Sequence, residues 1–509
     1  MELILSLSSS DQGPLYQRIY SQVRDAILSG RLQPGQRLPS TRELASRHEI
    51  SRNTVNLAYE KLLSEGYLEG KRGSGTYVTT LFPTRAANNR GMTVDSVQPI
   101  ALSAHAKNLE KWVYAPPWLG LPYDFRPGMP SLEYFPLALW RRIVARHLRH
   151  LSPDLARYGS AAGYRPLREA IAAYLRRSRA VNCDAEQVVV TGGSQQALDL
   201  LARLLVLRGQ RVAIENPCYP AAVAAFRAIG AKLSPIPVDD EGIRPAELPR
   251  DVRLLYVTPS HQYPTGVFLP LPRRLQLLEW ARKYRTVIIE DDYDCEFRYG
   301  GRPVESLQGL DQSGLVIYLG TFSKVLFPTL RLGYVVLPPS LVRPFLALKW
   351  ISDRHTSGME QRFIADFMLQ GHFERYSRSM LRVYEERRIT LTESLAKYAK
   401  NRIRVSPSVA GLHLTGWING KIDMTRLGVL AAESGVGIYP LTPYFLTKPR
   451  PGLLFGYSAI APEDIRRGIR RLASILETTM SNVADEYPTM SYLVTMRKTP
   501  PKTKTVASK

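Results

Sequence analysis

Lys324 stands just beyond an apolar run, Gly314 to Leu319, with the hydroxyl residues Thr321 and Ser323 between them and Arg331 seven residues further on. A lysine amine held partly out of water binds its proton less tightly, and the neutral amine can condense with a carbonyl to a Schiff base. Three other stretches supply what such an amine would need. Glu290-Asp291-Asp292-Tyr293 follows the apolar Val287-Ile288-Ile289, giving a carboxylate at a strand end and a phenol two residues beyond Asp291. Thr191-Gly192-Gly193-Ser194-Gln195-Gln196 is a glycine turn between an apolar run and a helix, where free amides and the helix dipole suit an anion. Thr321, Ser323 and Arg331 add two hydroxyls and a guanidinium fork for that anion. An amine for an aldehyde, a carboxylate for a pyridinium nitrogen, a phenol for a ring hydroxyl and a cradle for a phosphate are the four handles of pyridoxal phosphate.

The elements around these residues alternate. From Tyr123 onward, short apolar runs (Val188-Val189-Val190, Val212-Ala213-Ile214, Leu254 to Val257, Val287-Ile288-Ile289, Val316-Ile317-Tyr318) are separated by helical segments such as Arg165 to Arg177 and Gln195 to Leu207. That alternation predicts a mostly parallel sheet covered by helices on both faces. Such sheets gather ligands at the carboxyl ends of their strands, and every stretch above follows an apolar run.

The first eighty residues read differently. Pro14 to Leu28 predicts a helix with Leu15, Ile19, Val23 and Ile27 on one face. Ser40-Thr41-Arg42-Glu43 has the form of a capping box, in which serine and glutamate both satisfy amides at the start of a short second helix. Ser51 caps a third helix with Val55, Ala58, Tyr59 and Leu62 facing inward. Two extended runs, Tyr67-Leu68-Glu69 and Gly75 to Val78, then flank the basic, glycine-rich tip Gly70 to Gly75. Short helix, tight turn and helix form a helix-turn-helix arrangement, here followed by a hairpin with a basic tip.

Composition narrows the remaining choices. At 509 residues with 44% hydrophobic content, the chain has room for a large core beside a small domain. No run of about 18 apolar residues predicts a membrane span, and no leader-like segment opens the chain. Three scattered cysteines predict neither a disulfide framework nor a metal site, which favours a reduced, cytoplasmic setting. The net charge of +23 is carried mainly outside the head: residues 1–80 contribute +2, residues 481–509 contribute +3, and the rest +18. The expected division is a DNA-binding domain at 10–79, a linker at 80–120, a cofactor domain at 121–480 and a disordered basic tail at 481–509.

Leu38 to Ala45, Ser51 to Val55 and Gly73 to Val78 resemble the GntR-type winged helix-turn-helix in order and spacing. The resemblance implies that Arg52, Asn53, Thr54 and Asn56 read the major groove from the third helix. Arg42 would contact phosphate from the second helix, and Arg72 and Gly73 the backbone or minor groove from the wing.

The second part resembles fold-type I aminotransferases over about Tyr123 to Leu476. By that resemblance Lys324 is the internal-aldimine lysine, Asp291 the ring-nitrogen partner and Tyr293 the phenol on the ring hydroxyl. Gly193, Ser194, Gln195, Thr321, Ser323 and Arg331 hold the phosphate, and Tyr219 stacks on the ring. Thr258 to Gly266 occupies the place of the family's Asn-Pro-Thr-Gly loop without its asparagine, leaving either Gln262 or Tyr263 to supply that contact, while His261 reads as a satisfied loop residue. Amino-acid-using relatives place an arginine near the C-terminal strand, and Arg450, flanked by prolines, is the nearest candidate.

The fusion resembles the MocR/GabR group of transcriptional regulators, notably in Thr258 to Gly266 and in Glu290 to Tyr299. It implies a homodimer of large domains with an α/β winged helix-turn-helix head and a small C-terminal subdomain. Its expected partners are double-stranded operator DNA and an amine or amino-acid effector, or pyridoxal phosphate itself as the signal. The alternative is an active aminotransferase regulated by its DNA-binding module.

Overall fold

The computed structural model describes residues 5, 13–71, 73–80, 100–101, 106–109, 120–149, 153, 157–300, 305–400 and 402–480. Contacts divide the chain into two compact units, Met1–Leu102 and Ser103–Lys509. Arg72, most of the expected linker and all of the expected tail lie outside the described residues.

In the first unit three helices, Leu15–Leu28, Thr41–Arg47 and Arg52–Ser64, precede an antiparallel hairpin of Leu68–Lys71 and Gly75–Val78. Ile19, Val23, Leu44, Val55, Ala58, Leu62 and Val78 form its core, all with no exposed surface. Leu15, expected on the inward face, is only partly buried at the helix start. Only half of the expected capping box forms: Ser40 Oγ accepts from the Glu43 amide at 3.2 Å, but the Glu43 carboxylate lies 3.6 Å from Arg47. An exposed carboxylate with a cation one helical turn away has a competing partner, and the i,i+4 pair forms instead. Ser51 Oγ accepts from the Asn53 amide at 3.2 Å and starts the third helix.

The second unit is built on an eight-stranded sheet in the order Val188–Thr191, Gly333–Val336, Val316–Thr321, Val287–Asp292, Val252–Val257, Arg211–Asn216, Lys232–Asp239, Gly242–Ile243. Five adjacent strands, from Val316–Thr321 to Lys232–Asp239, run parallel. Gly333–Val336 runs antiparallel to both its neighbours, so it returns the chain from Arg331 past the glycine turn. Alternate residues serve opposite cores: Val188, Val190 and Tyr318 pack on one face, Val189, Ile317 and Leu319 on the other. Burial on both faces is what the near-continuous apolar runs required.

A smaller antiparallel sheet of Ile403–Val405, His413–Ile418, Gly452–Gly456 and Tyr439–Pro440 packs with the helices His372–Tyr398, Met424–Glu433 and Pro462–Met480. The start of the unit joins it: Tyr123–Asp124 pairs in parallel with Val436–Gly437, and the Gly456 amide donates to the Phe125 carbonyl at 2.8 Å. This pairing carries Gly128 to Lys324.

Candidate functional site

Asp291 is the last residue but one of one parallel strand and Thr321 ends the next, with Leu319 and Asp291 in register. Lys324 follows three residues later. Its Nζ donates to the Gly128 carbonyl at 3.0 Å. Burial pulls the amine's proton affinity down, while the negative charges of Asp294 and Asp291 oppose that shift.

The two oxygens of Asp291 differ. Tyr256 Oη donates to Oδ2 at 2.6 Å, whereas Oδ1 is buried without a hydrogen-bond partner. Burial pushes this carboxyl up to about 6, with the Tyr256 bond working against the rise and the charge of Asp292 adding to it. A buried acceptor without a donor is costly, and it marks a place where a ligand's N–H would be bound. Asp292 points away, to Arg179 Nε at 2.8 Å and Tyr318 Oη at 2.6 Å, and Glu290 accepts the amides of Leu307 and Gln308, each at 2.9 Å. Asp292 Oδ1 is also buried without a partner, but Asp292 and Glu290 each have a guanidinium, Arg179 at 2.8 Å and Arg274 at 3.8 Å, so Asp291 is the one of the three acids without one.

The glycine turn meets the end of strand Gly333–Val336. Arg331, at φ +49°, lays Nη2 3.2 Å from the Gly192 carbonyl. A Cβ on Gly193 would sit 3.2 Å from that guanidinium, and one on Gly333 would sit 2.9 Å from the Ser194 nitrogen. The Thr321 hydroxyl accepts from the Ser323 amide at 3.1 Å, and Thr321 is in register with Gly333. Ser194 begins a helix of 12 residues. Gln195 donates to the Ala221 carbonyl at 3.1 Å, tying this turn to the helix after Tyr219, while its Oε1 is buried without a partner. The fold therefore gathers Gly193, Ser194, Gln195, Thr321, Ser323 and Arg331 around one corner.

Tyr219 caps the helix Pro220–Ala228, and burial followed by the charge of Asp291 raises its phenol to about 12. Its ring meets Tyr263 edge-on at 5.6 Å, and Tyr263 in turn meets Tyr293 at 5.6 Å. Gln262 is engaged elsewhere. Its Nε2 donates to Glu215 at 3.2 Å and to the Pro217 carbonyl at 2.9 Å, while its Oε1 accepts from Thr265. Of the two candidates for the missing asparagine's place, Tyr263 is the one among the site's rings.

Tyr293 Oη lies 2.9 Å from the His261 carbonyl and 3.0 Å from His261 Nδ1, and that nitrogen faces Asp294 at 3.0 Å. His413 stacks beside His261 with ring centroids 4.6 Å apart. His261, Asp294 and His413 bring ligand-type atoms within 4.8 Å of one another, but His261 Nδ1 is turned to Asp294 and His413 Nε2 lies 3.1 Å from the Pro264 carbonyl. Tyr256, Asp294, His413 and Gly128 are the residues that sequence reasoning missed. Asp294 was visible as the next acid after Tyr293, but Tyr256, Gly128 and His413 arrive from other strands and loops.

Arg450 does not reach this site through a strand. It is exposed and lies over the Trp417 ring at 4.6 Å, while the strand Gly452–Gly456 beyond it is wholly buried and carries no cation.

On the DNA-binding head, Arg42, Arg52 and Asn53 are exposed, Thr54 and Asn56 are half-buried, and Gly73 takes φ +73° at the wing tip. Arg37, which the motif reading passed over, packs at the wing: its Nε would lie 3.0 Å from a Cβ on Gly75.

A gntR-type head followed by an aminotransferase-type domain defines a class, the transcriptional regulators built on an enzyme fold. Residues 15–78 match the bacterial regulatory proteins of the gntR family, and residues 134–472 match aminotransferase class I and II. A probable rhizopine catabolism regulatory protein, MocR, of Rhizobium meliloti is 38% identical over 92% of this chain and 95% of its own length. The pyridoxine biosynthesis transcriptional regulator PdxR of Corynebacterium glutamicum is 30% identical over 91% of this chain and 96% of its own. Among solved structures, a Pyrococcus horikoshii kynurenine aminotransferase in complex with PMP superposes with a TM-score of 0.67 at 28% identity, covering 74% of this chain and 95% of that one. The chain belongs to the MocR/GabR group of regulators, joining a gntR-family DNA-binding domain to a pyridoxal phosphate domain of aminotransferase class I and II. Among the described residues no helix is long and apolar enough to cross a membrane.

Proposed function

We propose that this regulator binds pyridoxal phosphate at Lys324 and uses the site to sense an amine or amino-acid effector, or the cofactor's own level, in the cytoplasm. The observation that carries the reading is the buried, unpartnered Asp291 Oδ1 at the strand edge that Lys324 follows, with the half-buried Lys324 amine held by the Gly128 carbonyl at 3.0 Å. The cofactor would supply an electrophilic aldehyde and a ring that draws electrons when its nitrogen is protonated. The chain's residues fit that group: Lys324 offers the amine and Asp291 Oδ1 accepts a ring N–H. Gly193, Ser194, Gln195, Thr321, Ser323 and Arg331 would hold the phosphate, Tyr219 would cover the ring and Tyr293 would meet the ring hydroxyl. Gly128 holds the Lys324 ammonium through its carbonyl until the aldehyde arrives.

The regulatory reading is favoured over turnover by the segment near which amino-acid-using relatives place their carboxylate-binding arginine. A strand that is buried and apolar from Gly452 to Gly456 supplies no cation to clamp a substrate carboxylate. The head binds operator DNA through Arg52, Asn53, Thr54 and Asn56 in the major groove, with Arg42 on phosphate and Arg72 and Gly73 on the backbone or minor groove. Two copies pair through their large domains, so that two heads face two half-sites. An effector acts by favouring one arrangement of this dimer over another.

The test is a visible absorption spectrum of the purified chain with added pyridoxal phosphate, before and after borohydride, beside an operator-binding assay. Wild type should gain a visible band that borohydride bleaches and fixes to Lys324. Lys324→Ala should lose the band and the effector response while still binding operator. An unchanged effector response in Lys324→Ala would sink the sensing model.

A further inference from the structure

We propose that Asp294 and His261 are positioning residues for the site: the pair fixes Tyr293, and Asp294 shares with Asp291 the negative charge that faces Lys324. This rests on the cofactor reading above. Asp294 is 2% exposed, and both of its oxygens approach a single atom, His261 Nδ1, at 3.2 and 3.0 Å. An ionised carboxylate can only accept, so in the proposed arrangement Nδ1 carries the proton between them. With Nδ1 as the donor to Asp294, the Tyr293 hydroxyl gives its own proton to the His261 carbonyl at 2.9 Å. The phenol oxygen is then left as an acceptor toward the ligand side.

The surroundings leave these groups little freedom. His413 lies nearly parallel to Tyr293 at 6.5 Å and Tyr263 stands edge-on to it at 5.6 Å. Ser408 Oγ is 3.3 Å from His261 Nε2. Gly411, at φ +83°, passes so close that a Cβ there would sit 2.0 Å from His261 Cε1 and 2.6 Å from Asp294 Oδ2. Ser408, Gly411 and His413 lead into or lie on the smaller sheet, so the pair also joins the strand ends of the large sheet to the C-terminal subdomain. The charged and titratable groups around Lys324 are Asp294 and Asp291, which favour its cationic form, and His413, whose proton affinity is driven well down by burial, then by His261.

The test uses the full chain loaded with pyridoxal phosphate and follows its visible band as a function of pH. Asp294→Asn keeps an acceptor for Nδ1 but removes the charge, so the cationic form of the Lys324 nitrogen loses one of the two carboxylates that favour it. The titration midpoint should fall by on the order of one pH unit. His261→Gln keeps the Asp294 charge and the backbone carbonyl that accepts from Tyr293 but removes the Nδ1 atom 3.0 Å from the phenol; its band position should move toward that of Tyr293→Phe, with a smaller midpoint change than Asp294→Asn. A midpoint in Asp294→Asn equal to wild type overturns the charge role. A His261→Gln band identical to wild type, where Tyr293→Phe is shifted, overturns the positioning role. A wild-type chain that gains no visible band overturns the cofactor reading itself, a result distinct from both.

Discussion

At the scale of single residues, Asp291 is held in the state that its own burial opposes. Its folded value near 6 lies above the ordinary 3.8. Folding therefore favours the protonated form: that contribution is complete below about pH 4 and is lost as pH rises through 6. At pH 8 the cofactor-free fold carries a buried carboxylate at a cost of roughly 3 kcal/mol. Asp291→Asn should accordingly raise the urea midpoint of the cofactor-free protein at pH 8, with the gain shrinking toward pH 5. Added pyridoxal phosphate should stabilise wild type and not the variant. A variant no more stable than wild type at pH 8 would show that the carboxylate is solvated. Strain stored in this way at a ligand site is what a binding function demands.

At the scale of elements, the site depends on two backbones that touch. Gly333 is paired with Thr321 and lies against the peptide between Gly193 and Ser194. No flexible side-chain tip lies at that contact, so a methyl group must push one strand end or the glycine turn. Gly333→Ala should therefore weaken pyridoxal phosphate binding by tenfold or more, about 1.4 kcal/mol, while changing far-ultraviolet circular dichroism little. Titration of the visible band reads this directly, and unaltered affinity would separate the turn from phosphate binding. The sequence displayed both glycines, yet only the antiparallel return of Gly333–Val336 reveals that they meet.

At the scale of the whole molecule, each unit is complete in its core, but the large one presents an apolar patch to solvent. Tyr158, Trp350 and Ile351 are 78%, 54% and 72% exposed, and Arg354 lies over the Tyr158 and Trp350 rings at 4.9 and 4.8 Å. The patch adjoins the site, because Asp353 accepts from Gln196 of the glycine turn at 2.7 Å. Exposed aromatic clusters of this kind mark protein interfaces. With this patch as the seam of the proposed dimer, wild type should sediment as a dimer and Trp350→Asp as a monomer, with binding to a two-half-site operator weakened far more than to a single half-site. A dimeric Trp350→Asp protein would place the interface elsewhere.

What the sequence determined by itself was the order of parts and the chemistry they can perform. Helix periodicity, the Ser40 and Ser51 caps and the wing glycines are local, so the DNA-binding head is legible from neighbouring residues. Lys324, Asp291 and the glycine turn each follow an apolar run, and a parallel sheet brings such positions to one edge whatever the details. What tertiary structure alone decided were contacts between segments distant in sequence. Gly128 reaches Lys324 because Tyr123–Asp124 pairs with Val436–Gly437, and Tyr256 reaches Asp291 from the neighbouring strand. His413 and Gly411 close over His261 and Asp294 from the smaller sheet, and Arg450 is drawn to Trp417. Sequence spacing carries local periodicity and strand ends; which distant side chains share a buried space is set by packing, and packing is a property of the folded chain.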